Sequence, residues 1–196
     1  MTAPFAEATV KNRQPIVEEL KKLLRDSNKV LEIGSGTGQH AVWFAPRLPW
    51  LTWLPSDLPD QLFGIERWIK DFPSDNLGQP IALNVSESWP KTEHDVIFSA
   101  NTAHIMQPQE VERMITSGAG SLPSRGLFCL YGPFIFENTA LAKSNLKFNR
   151  KLQDLHPGMG IRKFDDLNVL ALAGSMKLLE INSMPANNHL LVWQKI

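Results

Sequence analysis

The stretch V-L-E-I-G-S-G-T-G-Q-H, residues 30–40, constrains the fold more than any other part of the chain. An apolar run ending in three alternating glycines reads as a buried strand, a tight turn and the start of a helix. Such a turn gathers several backbone N–H groups at one point. Glycine there admits close approach of a ligand and backbone angles that other residues avoid. The same alternation runs along the chain. Strands are predicted over 29–33, 51–55, 80–85, 94–99 and 126–131, and helices over 15–27, 39–48, 62–72 and 109–117. Pro15 suits the first position of its helix. Residues 138–173 read as mostly helical, interrupted at 156–158, and the end reads as a hairpin of 176–181 with 189–194. This order predicts an α/β, Rossmann-like fold: a doubly wound, mostly parallel seven-stranded sheet with an antiparallel last strand.

Length and composition set the frame for that reading. The 196 residues suit one domain, 1–196, with 1–14 expected as a lid arm, and 43% hydrophobic residues supply a core. Lys plus Arg and Asp plus Glu are equal at 20, so the formal charge is zero, which argues against a partner such as long nucleic acid. The single cysteine, Cys129, excludes an intramolecular disulfide and a cysteine zinc site, and its apolar neighbours mark it as buried. His40, His94, His156 and His189 show no ligand spacing, so no metal is expected. The N-terminus lacks a signal-peptide pattern, and no apolar run reaches the roughly 18 residues of a membrane span. A reduced, soluble, cytoplasmic protein is expected, its oligomeric state open.

Three cofactors compete for the glycine turn. A phosphate loop requires a Lys after its glycines, and none follows here. A dinucleotide turn wants Gly or Ala at position 39, where this chain has Gln39, and its third glycine arrives one residue early, at Gly38. The third reading rests on E-x-G-x-G-x-G, which resembles the turn of class I S-adenosylmethionine methyltransferases. Glu32, two positions before Gly34, suits a ligand carrying an amino group. Asp57, at the end of the second strand, suits the two hydroxyls of a ribose. Asn84 and the Val85 N–H, at the end of the third strand, suit an adenine edge. Ser35, Gly36, Thr37 and Leu58 complete the expected cofactor set.

Beyond that turn, the chain resembles a small methyltransferase-like family, the methyltransferase-like protein 26 group. The elements are N-R-x-x-P-I (12–16), L-E-I-G-S-G-T-G-Q-H (31–40), N-x-x-H-I (101–105), L-Y-G-P-F (130–134), S-N (144–145), G-I-R (160–162) and M-P-A-N-N (184–188). The resemblance implies a class I methyltransferase fold and S-adenosylmethionine binding. It does not supply the methyl acceptor.

In open parallel sheets, ligands lie beyond the carboxyl ends of the strands. That rule selects Asn101, His104, Tyr131, Asn187 and Asn188 as rim residues. His104 is the candidate general base, because imidazole titrates in the right range; the alternative is that it caps a helix or packs in its loop. Asn101 is expected at the cofactor or the substrate, and Tyr131 at the substrate or covering the cofactor. Asn187 and Asn188 are expected at a polar substrate unless they only form a turn. Arg13 and Arg162 suit a carboxylate or phosphate, with surface ion pairing as the alternative. The leading expectation is methyl transfer to a small molecule. A non-catalytic S-adenosylmethionine-binding protein and a nicotinamide-dependent oxidoreductase are the alternatives.

Overall fold

The computed structural model describes residues 4–89 and 91–196. It carries the doubly wound α/β architecture expected from the alternation, seven strands in a mostly parallel sheet with the last strand antiparallel. The described residues form two compact units, 1–99 and 100–196.

The first unit opens with α1 (Glu7–Leu23), followed by β1 (Lys29–Ile33), α2 (Gln39–Phe44), β2 (Thr52–Asp57), α3 (Leu62–Asp71), β3 (Ile81–Ala82) and β4 (Val96–Ala100). Strands lie in the order β3-β2-β1-β4, all parallel, with Glu32 opposite both Pro55 and Phe98. Both faces of β1 are covered, so its residues after Lys29 are buried, as a parallel strand requires. Phe44, Trp53 and Phe98 pack edge-on at 5.3–5.7 Å and fill the space under α2.

Two expectations need correction here. The first helix begins at Glu7 rather than at Pro15, which lies inside it. An interior proline ordinarily weakens a helix by about 3 kcal/mol. Docking offsets that cost: Thr9, Asn12, Ile16, Val17 and Leu20 are all buried. From Glu7 on, the segment expected as an arm is therefore helix; residues 1–3 of that arm lie outside the described residues. The third strand is also shorter than 80–85. The Leu83 N–H still donates to the Asp57 carbonyl at 2.9 Å, but Asn84 then turns the chain by accepting from the Ser86 N–H at 3.0 Å.

The second unit contains α4 (Pro108–Ser121), β5 (Leu127–Gly132), β6 (Phe134–Ile135), α5 (Lys143–Leu155), β7 (Arg162–Lys163), α6 (Phe164–Ala173), β8 (Met176–Met184) and β9 (Asn188–Lys195). β9 runs antiparallel to both β5 and β8. A capping box closes the start of α4: the Gln107 N–H donates to Glu110 Oε2 at 2.6 Å. β6 and β7 form a small parallel ladder that the periodicity did not announce. Phe128, Cys129, Leu130, Leu191 and Trp193 are fully buried, and burial pushes the Cys129 thiol up to about 12.

Candidate active site

In the first unit, the glycine turn and the end of β2 are built together. Gly34, Gly36 and Gly38 have φ of 69°, 58° and 85°, in the left-handed region. At Gly38 a Cβ would stand 3.0 Å from Ile65 Cα and Cγ2, so this glycine lets α3 approach. At Gly36 a Cβ would meet nothing within 4 Å; the backbone there faces open space. The Gly36 N–H donates to Asp57 Oδ2 at 2.6 Å and the Leu58 N–H to Asp57 Oδ1 at 2.7 Å. Burial raises the Asp57 carboxyl above its ordinary range, against the pull of those two N–H groups.

Glu32 lies beneath the turn with 1% of its surface exposed. Its Oε2 accepts from Trp53 Nε1 at 3.0 Å and from Ser35 Oγ at 2.9 Å. Ser35 Oγ accepts in turn from the Ser56 N–H, and Ser56 Oγ donates to the Glu32 carbonyl at 2.6 Å. Burial drives the Glu32 carboxyl up to about 7, with the Asp57 charge adding to the shift and the two donors opposing it. Glu32 therefore organises the turn from below. Trp53, Ser35 and Ser56 are its partners, and only Ser35 was expected to matter. No sequence signal distinguishes Trp53 from an ordinary core aromatic.

The N-R-x-x-P-I motif also meets the turn. Asn12 Oδ1 and His40 Nε2 are 2.8 Å apart, and the His40 ring stacks on Phe44 at 5.0 Å. Burial lowers His40 to about 3, so the imidazole is neutral. Gln39 Oε1 accepts from the Ala6 N–H at 2.6 Å and from Thr37 Oγ1 at 3.0 Å. The Arg13 guanidinium lies 3.6 Å from the Trp43 ring centre, and Arg47 lies 3.3 Å from the same centre. Arg13 lines a cleft with Trp68 and Phe72. Asn84 is half-buried and Val85 buried; Asn84 Oδ1 accepts from the Ser86 N–H, and its Nδ2 donates to Glu87 Oε1 at 3.0 Å.

In the second unit, Asn101 has φ of 59°, and its N–H donates to the Tyr131 carbonyl at 2.9 Å. Asparagine tolerates that conformation, which explains the residue type. Tyr131 is 2% exposed. His104 is buried, meets Phe148 edge-on at 5.1 Å, and accepts at its carbonyl from the Gly160 N–H. Burial, helped by the Arg162 charge, lowers His104 to about 4. Arg162 donates to backbone carbonyls of its own unit. Its Nε donates to the Ala103 carbonyl at 2.9 Å, and its Nη2 donates to the carbonyls of Gly158, at 2.8 Å, and of Met106. The G-I-R and N-x-x-H-I motifs are thus one hydrogen-bonded unit.

Asn187 and Asn188 lie at the turn between β8 and β9. The Asn187 carbonyl accepts from Asn145 Nδ2 at 3.1 Å, and Asn188 Nδ2 donates to the Pro185 carbonyl at 3.2 Å. The S-N and M-P-A-N-N motifs therefore meet, on the wall of a cavity of ≈ 380 Å³. Among the described residues no cluster of three or more His, Cys, Asp or Glu side chains is placed to hold a metal. No helix among them is long and apolar enough to cross a membrane.

The strand order and the positive-φ glycine turn make a Rossmann-like fold of the class I methyltransferase-like kind. Solved structures share this architecture. An O-methyltransferase family protein from Burkholderia thailandensis superposes with a TM-score of 0.82 at 15% identity, covering 96% of this chain and 57% of its own. The mitomycin 7-O-methyltransferase MmcR gives 0.83 at 13% identity, covering 96% and 54%. PigF with SAH gives 0.80 at 14% identity, covering 95% and 56%. The chain thus spans little more than half the length of these neighbours. A family described as "Protein of unknown function (DUF938)" matches residues 3–195, and the chain belongs to it.

Proposed function

We propose that the protein is an S-adenosylmethionine-dependent methyltransferase acting on a small molecule, and that it falls within the methyltransferase-like protein 26 group. The observation that carries this reading is the 2.6 Å hydrogen bond from the Gly36 N–H to Asp57. It joins a glycine turn open to a ligand with an acid suited to a ribose diol. The residues present fit that cofactor. Nothing would meet a Cβ at Gly36, Asp57 offers only acceptors, and the turn carries no Lys or Arg for a pyrophosphate. In this reading Asp57 and the Leu58 N–H hold the ribose side, and Asn84 with the Val85 N–H the adenine side. Gly34, Ser35, Gly36, Thr37 and Gly38 shape the seat, and Glu32 holds the turn. Support also comes from the neighbours, among them an O-methyltransferase family protein, a mitomycin 7-O-methyltransferase and PigF with SAH.

S-adenosylmethionine supplies an electrophilic methyl on a sulfonium. The protein's work is to align a nucleophile with that carbon and exclude water. Asn101, Tyr131, Asn187 and Asn188 are the proposed contacts for cofactor tail and acceptor. His104, lowered to about 4, suits accepting a hydrogen bond from a nucleophile's proton better than storing that proton. The same weak basicity favours the second reading, a cofactor-binding protein without transfer.

Titration calorimetry with S-adenosylmethionine and its demethylated product tests the binding step. Saturable binding that Asp57→Ala removes is expected. No binding of either compound by folded protein overturns the proposal. Methyl transfer in a substrate screen separates the enzyme from the silent binder. A neutral, reduced chain fits a cytoplasmic setting, which localisation of the tagged protein would check.

A further inference from the structure

The ≈ 380 Å³ cavity of the second unit falls within the size range of small-molecule sites, roughly 300–1,000 Å³. Phe134 and Phe136 are among its apolar lining, and Asn145, Asn187, Asn188 and His189 are among its polar lining. No Asp, Glu, Lys or Arg is among the residues lining it. A charged ligand would find no ion-pair partner among these side chains to offset whatever hydration it gave up. A neutral ligand with a flat apolar face and a hydrogen-bonding edge suits both kinds of lining.

Two further features mark the cavity as built rather than incidental. The first is backbone strain. Ala186, a residue with no polar side chain to favour it, stands at φ 59°, and Asn145 Nδ2 donates to the carbonyl of the next residue, Asn187. Non-glycine residues in that region persist where the surroundings enforce them, and they cluster at ligand sites. The second is His189. Its ring meets Phe136 edge-on at 4.7 Å, and its Nδ1 is enclosed with no hydrogen-bond partner among the described residues. Nε2 is then the nitrogen that can serve a ligand.

We infer that this cavity is the acceptor site, and that it takes a neutral, flat, aromatic-type small molecule. The aromatic part lies against Phe134 and Phe136, and the polar edge is read by Asn145, Asn188 and His189. The assignment as acceptor site rests on the methyl-transfer reading; the binding preference does not.

Met184 lines the cavity, so methyl-13C methionine labelling places a reporter in its wall. The probes are 4-hydroxybenzamide and its charged counterpart 4-hydroxybenzoate. A saturable shift of the Met184 resonance is expected with the amide, with the carboxylate at least about tenfold weaker. Ala142→Phe, projecting into the cavity, should weaken the amide about tenfold or more, and Asn188→Leu should do so without adding bulk at that wall. Each variant's thermal midpoint is measured alongside. The inference is overturned by the absence of a saturable shift with the amide, by equal affinity for the two probes, or by a folded Ala142→Phe protein that binds the amide normally. A parallel titration of the wild type with S-adenosylmethionine keeps the two readings apart. Cofactor binding without amide binding refutes the cavity alone, and amide binding without cofactor binding refutes the methyl-transfer reading alone.

Discussion

Glu32→Gln isolates the most unusual group in the first unit. The Glu32 carboxyl is raised from 4.5 to about 7, chiefly by burial. A folded value above the unfolded one means that the folded protein binds more protons between those limits. Stability therefore falls as pH rises across that window and levels off above about 7. At about 1.4 kcal/mol per tenfold change, the displacement from 4.5 to about 7 corresponds to about 3 kcal/mol. Glutamine keeps an acceptor for Trp53 Nε1 and Ser35 Oγ but carries no charge. Wild type and variant should thus be similar near pH 5, and the variant should gain roughly 2–3 kcal/mol relative to wild type by pH 8. Urea unfolding of both proteins at pH 5, 6, 7 and 8 reads this difference, and other titrating groups cancel in it. Parallel stability curves would refute the reasoning, as would a variant less stable than wild type at pH 8. The first result would mean that the buried carboxylate is better solvated than its surroundings indicate. The second would mean that its charge is needed by the two donors.

Three further predictions follow from the geometry. Gly38→Ala should destabilise by about 2–3 kcal/mol, because its Cβ would press on the Ile65 backbone at 3.0 Å; Gly36→Ala, facing open space, should lose only about 1 kcal/mol. Equal losses in denaturant unfolding would contradict this ordering. Arg162→Met should lower stability by about 2–4 kcal/mol and speed hydrogen exchange in the 101–106 loop, because the carbonyls of Ala103, Met106 and Gly158 lose their donor. Unchanged exchange in that loop would count against the capping role. His104, lowered to about 4, contributes stability that is fully present above about 6.5 and is lost as pH falls toward 4. Its ring resonances should show no protonation between pH 8 and 5.5, and a midpoint near 6.5 would refute the burial argument.

What was readable in the chain depended on apolar periodicity and glycine. β1, the turn after it and the antiparallel end all appear near their expected places, since apolar runs and tight turns leave direct sequence marks. The first half of α1 did not. Its docked face is polar, with Thr9 and Asn12 buried, so a search for recurring apolar residues starts the helix at Pro15. β6 and β7 have two residues each, too short for any period. Arg162 reads as a surface cation because its carbonyl partners are backbone atoms, which have no letter in a sequence.

The sequence by itself determined the class of fold and the position of the glycine turn, because both follow from local rules: short apolar runs alternating with helical periodicity, and backbone angles that only glycine adopts freely. The tertiary structure decided what the polar residues do. Glu32 reads from sequence as a ligand contact, and only the approach of Trp53 and Ser35 shows that it also braces the turn from below. His104 reads as a base, and only its burial beside Phe148 and Arg162 lowers its basicity. A polar side chain's role is set by its partners and its solvation, and both are brought to it by parts of the chain distant in sequence.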